Sequence, residues 1–428
     1  MSRPNLEAAV VNRARASRLA LIADGLAAAV AVSLPWWTTA TGVLIVLWLV
    51  ALVPTLDAAA LQREVMSPAG GLPIVLWGIA ALGMLWADAG WSERVAGMAG
   101  FHKLLLIPLL LAQFRRPAAR GEWVMLGFLA SSLVLLAISW ALVLTPGLTW
   151  RGSNNIGVPV KNYILQSALF AICAFALIGQ AAALWRARLR LALAAMLGAA
   201  AFIANIIYVV TGRTTLVVLA AMLLLLGLRQ SGWKGVLGAA LIGGVLAAAA
   251  WASSPYLRWR VMLAIEETES YSANDINTSV GLRLEYWRKS LALVAQAPVI
   301  GHGTGTIPQL FRRDVPAAIP LLRTSNPHSQ ILAVAVELGG VGTVALLAMW
   351  IAHLALFRAG VVRGETTLVA WFGLVIVVYN VVSSVFNSHL FDFGEGWLYV
   401  FGLGVTGGMV LRGTHVAHQV DKSRAAPA

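Results

Sequence analysis

The chain has 428 residues, of which 59% are apolar and only 11% charged, with a mean hydropathy of +0.80. A water-soluble domain of this size needs far more charge to cover its surface, so that class is excluded. The formal net charge of +13 would suit a nucleic-acid binder, but many of the basic residues lie in short turns between apolar runs, as topology signals do, and no nucleic-acid partner is expected.

The N-terminal stretch carries Arg3, Arg13, Arg15 and Arg18 ahead of the first apolar run. No small-residue cleavage site follows that run, so it reads as a retained first helix. At ~20 residues per span, the apolar runs predict about 12 transmembrane helices, near 19–34, 38–56, 72–88, 95–113, 123–145, 161–183, 190–211, 214–228, 235–252, 328–350, 367–387 and 395–411. The expected fold class is an all-α polytopic membrane protein. Spans one to nine fall in residues 1–252, a large periplasmic loop in 253–327, spans ten to twelve in 328–411, and a cytoplasmic tail in 412–428. A cytoplasmic N-terminus puts Arg63, Arg115, Arg116, Arg120, Arg186, Arg188, Arg190 and Arg229 on the inner face. The short outer loops then hold only Arg94, Arg151, Lys161 and Arg213, as the positive-inside rule requires. Within the long loop, Leu284, Trp287, Leu291 and Val294 recur at helical spacing, so Gly281–Gln296 reads as an amphipathic helix at the interface, ended by Pro298 and the glycines at 301, 303 and 305.

Three features on the outer side carry possible chemistry. Arg213 is the one charge in the hairpin Thr211-Gly212-Arg213-Thr214-Thr215, where it opposes the topology signal. It is either a snorkelling side chain on lipid phosphate or a fixed cation whose guanidinium fork takes a phosphate ligand. Next come Arg283, Trp287 and Arg288, then Pro298-Val299-Ile300-Gly301-His302-Gly303-Thr304-Gly305. Its glycines can bring backbone N–H groups to an anion or simply form a turn. Arg283 and Arg288 are five apart, so both cannot point the same way from one helix. Finally, Asn326-Pro327-His328-Ser329-Gln330 precedes the tenth span, with Asn326 as the expected cap and Pro327 in the first turn. A helix N-terminus lowers imidazole basicity and favours a neutral ring able to take a proton.

His102 and Lys103 within the fourth span, Arg151 and Lys161 beside the sixth, Glu337 in the tenth, and His389 and Asp392 in the last outer loop are further candidates, each with helix packing as the plain alternative. Cys173 is the single cysteine and lies in an apolar run, which excludes disulfides and a cysteine metal site. With no HExxH, P-loop, CxxC or Asp-x-Asp pair on the outer face, neither metal nor cofactor is expected.

Taken in order, an outer Gly-Arg-Thr hairpin, a long loop with Arg-x-x-x-Trp and Pro-x-x-Gly-x-Gly-x-Gly, and a His opening a span before Glu337-Leu338-Gly339-Gly340-Val341-Gly342 make the chain resemble the O-antigen ligase and polymerase superfamily of bacterial inner membranes. The match is firmest over residues 205–345. Where the family more usually has His-Asn, this chain has His328-Ser329. The resemblance implies metal-independent, inverting transfer of a glycan from undecaprenyl diphosphate to a hydroxyl of lipid A–core on the periplasmic side, with no oligomer implied. It assigns His328 as base and Arg213 and Arg283 to the diphosphate, with Arg288, Arg151, Lys161, His302 and Gln330 as substrate-binding residues. An O-antigen polymerase and a protein O-oligosaccharyltransferase stay open as relatives. From another class, a lipid-linked oligosaccharide flippase shares the span count, but transporters place polar residues near the midplane in two related halves. Here they gather at the outer boundary.

Overall fold

The computed structural model describes residues 3–145, 147–148, 156–160, 162–272, 278–313, 324, 326–362 and 367–425, and every regular element among them is helical. In chain order these are α1 (Arg3–Ser33), α2 (Thr38–Leu52), α3 (Ala58–Val65), α4 (Pro68–Gly83), α5 (Trp91–His102), α6 (Leu106–Phe114), α7 (Gly121–Leu144), α8 (Tyr163–Leu184), α9 (Leu189–Tyr208), α10 (Arg213–Ser253), α11 (Pro255–Ser272), α12 (Ser279–Gln296), α13 (Ile307–Arg313), α14 (Gln330–Val362), α15 (Thr367–Ser383) and α16 (Phe393–Ala425). Apolar runs of this length have one way to satisfy their backbone groups in hydrocarbon, within the helix itself. Seven described helices are long and apolar enough to cross a membrane, or eight if α3 and α4, bent by 75°, count as one span. Pro68, at the first turn of α4, and the Ser67 hydroxyl, accepting from Gly70 N at 3.2 Å, restart the helix at that bend.

Two irregularities follow from single residues. In α10, Ser231 and Gly232 leave helical geometry, Gly232 at φ +58°. A Cβ on Gly227 would strike Gly235 O and one on Gly243 would strike Leu223. The element is therefore an antiparallel pair of limbs, at the places expected for the spans 214–228 and 235–252. Between α5 and α6, Lys103–Leu105 tightens to a 3-10 turn, because Pro108 has no N–H for the Leu104 carbonyl.

The main core is an apolar cluster in which α16 packs on α6 and α15, α14 on α4 and α15, α1 on α2 and α7, and α8 on α9. Gly404 and Gly408 let α16 approach α6 until an added Cβ would meet Leu110 or Phe114. The arginine-rich turns meet at one end of the bundle. Arg116 pairs with Asp24 at 3.3 Å, Arg115 with Glu64 at 2.9 Å, and Arg412 donates to Ala119 O at 2.8 Å. From Glu395 to Arg412, α16 rises about 25 Å at 1.5 Å per residue, so the polar turn before α16 lies near the other end.

The stretch expected to carry amphipathic helices holds three helices among its described residues, α11, α12 and α13, with 273–277, 314–323 and 325 outside them. The inward face of α12 differs from the expected one. Tyr286, Ser290 and Leu293 are buried against Phe311, Ala333 and Val336, while Leu291 is exposed. Apolar side chains lie on two faces of this helix, so spacing alone did not identify the face that packs.

Candidate active site

The turn between α9 and α10 is closed by Thr211, whose hydroxyl donates to Ile206 O at 2.9 Å, and it leaves Arg213 as the first residue of α10. A cation at a helix N-terminus opposes the helix dipole. Glu267 on α11 offsets it by accepting two hydrogen bonds from Arg213, at 2.7 and 3.2 Å, which hold this carboxyl below the usual carboxylate range. Glu267 also accepts from Val280 N at 3.2 Å, so one carboxylate ties α10, α11 and the start of α12 together. Arg260 joins the group from α11, its guanidinium 5.4 Å from the Tyr163 ring centre. From α12 comes Arg283, which makes no ion pair or hydrogen bond with a described residue. It is held below its ordinary pKa first by burial, with Tyr163 opposing and Arg213 adding to the shift. Among the described residues, these three guanidinium groups have one carboxylate beside them, Glu267, a surplus of positive charge in a half-buried place.

His328 sits opposite this cluster in a strained turn. It has φ +54°, the one positive φ at a non-glycine residue among those described. Such a conformation persists when neighbours over-determine it. Asn326 Oδ1 accepts from His328 N at 2.8 Å and from Ser388 Oγ at 2.7 Å, while Trp287 Nε1 donates to His328 O at 3.3 Å. The expected cap is therefore corrected. Asn326 and Pro327 form the turn, α14 starts at Gln330, and Ser329 is the capping residue, its carbonyl accepting from Ala333 N at 2.9 Å. The imidazole stacks on Tyr286, centroids 5.8 Å apart and planes at 16°. Its pKa is lowered by burial first and then by Arg283, with Asn387 opposing.

The second half of the site is a cavity of about 760 Å³ bounded by the α1–α2 turn, residues 158–160, Asn162, Ile164, Leu165 and the turn before α16. His328, Asn387, His389, Asp392 and Glu395 line it with Trp36 and Trp37. His328 Nδ1 lies 3.3 Å from Asn387 Oδ1, and Asn387 Nδ2 lies 3.3 Å from His389 Nε2. An amide oxygen only accepts, so His328 Nδ1 carries the hydrogen and Nε2 keeps its lone pair. By the same logic His389 accepts at Nε2 and turns its Nδ1–H toward Asp392 Oδ2 at 3.4 Å and Glu395 Oε1 at 3.9 Å. Among the described residues, ligand atoms of His389, Asp392 and Glu395 lie within 4.8 Å of one another, a metal-compatible grouping. Lys103, buried between α5 and α6, donates to Phe391 O at 3.2 Å and Asp392 O at 2.8 Å and so fixes this turn. Lys103→Met strands both carbonyls and is expected to cost about 1–3 kcal/mol, read as a lower thermal midpoint in detergent.

The other expected residues fall elsewhere. Arg288 is exposed and pairs with Glu285 at 2.9 Å. His302 is fastened between α12 and α14, with Nε2 2.9 Å from Leu293 O and its N–H donating to Val336 O at 2.9 Å. Gln330 ties α14 to the last turn by accepting from Leu390 N at 3.1 Å. Arg151 and Lys161 lie outside the described residues. The glycine-rich turn does bring N–H groups to a carboxyl, but it is the chain's own Glu337, which accepts from Gly305 N at 3.0 Å. Gly303, at φ +96° with Ala87 backbone in the space a Cβ would fill, admits no side chain. Gly303→Ala is expected to lower the yield of folded protein severalfold by size-exclusion profile. The sequence reading missed Arg260, Glu267, Trp36 and Asn387; the doubled tryptophan closing the first span was the available signal.

Comparison with known families finds one relationship. Residues 198–347, from α9 to the middle of α14, match the family described as O-antigen ligase. No curated protein matches the chain.

Proposed function

We propose, from the match of residues 198–347 to the O-antigen ligase family, that the chain is a membrane glycosyltransferase of lipopolysaccharide assembly. It moves a glycan from undecaprenyl diphosphate to a sugar hydroxyl of lipid A–core. The topology that goes with this reading has twelve spans and a cytoplasmic N-terminus, with the loop 253–327 and the site at the periplasmic boundary of the inner membrane. The acceptor oxygen attacks the anomeric carbon, the bond from that carbon to the phosphate oxygen breaks, and the diphosphate leaves with the electron pair. The acceptor proton passes to His328 Nε2. Direct displacement inverts the anomeric centre.

One observation carries the proposal: His328 belongs at once to the cavity and to the field of Arg283. Arg283, Arg260 and Arg213 answer the charge that grows on the leaving oxygen, and donors placed there favour the transition state over the ground state. Glu267 takes part of that positive charge, so the phosphate contact falls mainly on Arg283 and Arg260. Purified protein in liposomes, given lipid-linked glycan and lipid A–core, should form ligated product at a rate that EDTA leaves unchanged. No product, with glycan lipid instead crossing the bilayer, would make the chain a transporter.

A further inference from the structure

The cavity and the arginine cluster have opposite chemistry. At about 760 Å³ the cavity is of a size with small-molecule sites, which run ~300–1,000 Å³. Trp36 and Trp37 give it aromatic walls, and Asp392, Glu395 and Asn387 give it acceptor oxygens. Indole faces cover the C–H faces of a sugar ring, and carboxylate oxygens accept hydrogen bonds from its hydroxyls. Trp36 is fixed before any ligand arrives, since Nε1 donates to Ser131 Oγ at 2.8 Å and that hydroxyl donates to Val32 O at 2.7 Å. Such preorganisation lowers the entropy lost on binding. His389 adds an independent sign. Its side chain is 1% exposed, and its Nδ1 has no hydrogen-bond partner among the described residues while facing the two carboxylates. The same carboxylates repel phosphate.

We propose that this cavity is the acceptor subsite: it holds the phosphate-free terminal sugar of the acceptor against Trp36 and Trp37 and presents one hydroxyl to His328 Nε2. The inference rests on the transferase reading and divides the site, with the donor diphosphate on the arginine side and the acceptor saccharide on the carboxylate side. The sugar can come from lipid A–core or from the glycan end of a second donor, which share this chemistry.

The test is equilibrium binding of a phosphate-free core oligosaccharide, released from lipid A, to the purified full chain in detergent, alongside acceptor and donor KM in liposomes. Trp36→Ala should weaken oligosaccharide binding and raise acceptor KM about tenfold, the scale of one aromatic contact, with donor KM unchanged. Thr39→Trp, which fills the cavity from an exposed position and removes no core contact, should do the same if the alanine variant misfolds. A phosphorylated form of the oligosaccharide should bind more weakly than the phosphate-free one, and Asp392→Asn should narrow that gap. Competition by lipid A–core or by lipid-linked glycan supports the subsite and names its source. Unchanged binding in a folded Thr39→Trp protein, or a change in donor KM alone, overturns it. Because binding is read without turnover, a wild type that binds the oligosaccharide but transfers nothing refutes the transferase reading and leaves the cavity as a saccharide-binding site.

Discussion

Replacing His328 with asparagine is expected to lower the rate of glycan transfer by about 10²–10⁴-fold, the usual contribution of a positioned general base, while the protein keeps its thermal midpoint. Asparagine is the informative choice because the position has φ +54°, a conformation that asparagine tolerates and alanine resists. His328→Ala therefore mixes lost chemistry with backbone strain. The amide cannot take a proton at neutral pH, so an asparagine variant with wild-type product formation would remove His328 from the mechanism. The wild-type pH profile carries its own signature. The base is the neutral ring, and burial and Arg283 hold its pKa below the ordinary 6.5. Activity should thus stay on its plateau at neutral pH and fall only as pH drops through that lowered value. A half-maximal rate above the ordinary histidine value would contradict this.

Some of this arrangement was legible in the residues and some was not, for physical reasons. Arg213 stood out because a cation in an outer turn opposes the topology signal, and the structure shows that the offsetting charge comes from Glu267, 54 residues away. His328 stood out by its place before an apolar run. Its strained backbone was invisible, since it arises from Asn326 and Trp287 acting together across the fold. The role of spacing was weakest on α12, where apolar residues on two faces concealed that Tyr286, rather than Leu291, packs inward. His302 and the glycines around it looked like an anion cradle because that pattern supplies N–H groups. Only tertiary contact reveals that Glu337 occupies them. His389 was one candidate among several and Asn387 drew no notice at the end of an apolar run, because their alignment with His328 depends on the packing of α15 and α16 against α14.

Arg283→Ala should be the second large loss, about 10²–10³-fold in the rate of transfer, the scale measured when one preorganised donor to a developing oxyanion is removed. The reason lies in how the positive charge is shared. Arg213 already satisfies Glu267 through two hydrogen bonds, and both residues brace the junction of three helices. Arg213→Ala therefore leaves a partly buried carboxylate unpaired and should lower stability as well as activity. Arg283 has no such tie to a described residue, so its removal should spare the fold. It should also move the acid limb of the pH profile upward, because the Arg283 charge helps to depress the His328 pKa. Burial, the larger cause, persists, so the limb should stop short of the ordinary histidine value. Arg283→Lys keeps the charge but loses the bidentate fork. It should leave the acid limb near its wild-type position while the rate remains reduced. Equal rates for Arg283→Lys and wild type would mean that charge alone suffices at this position and that no forked phosphate contact forms.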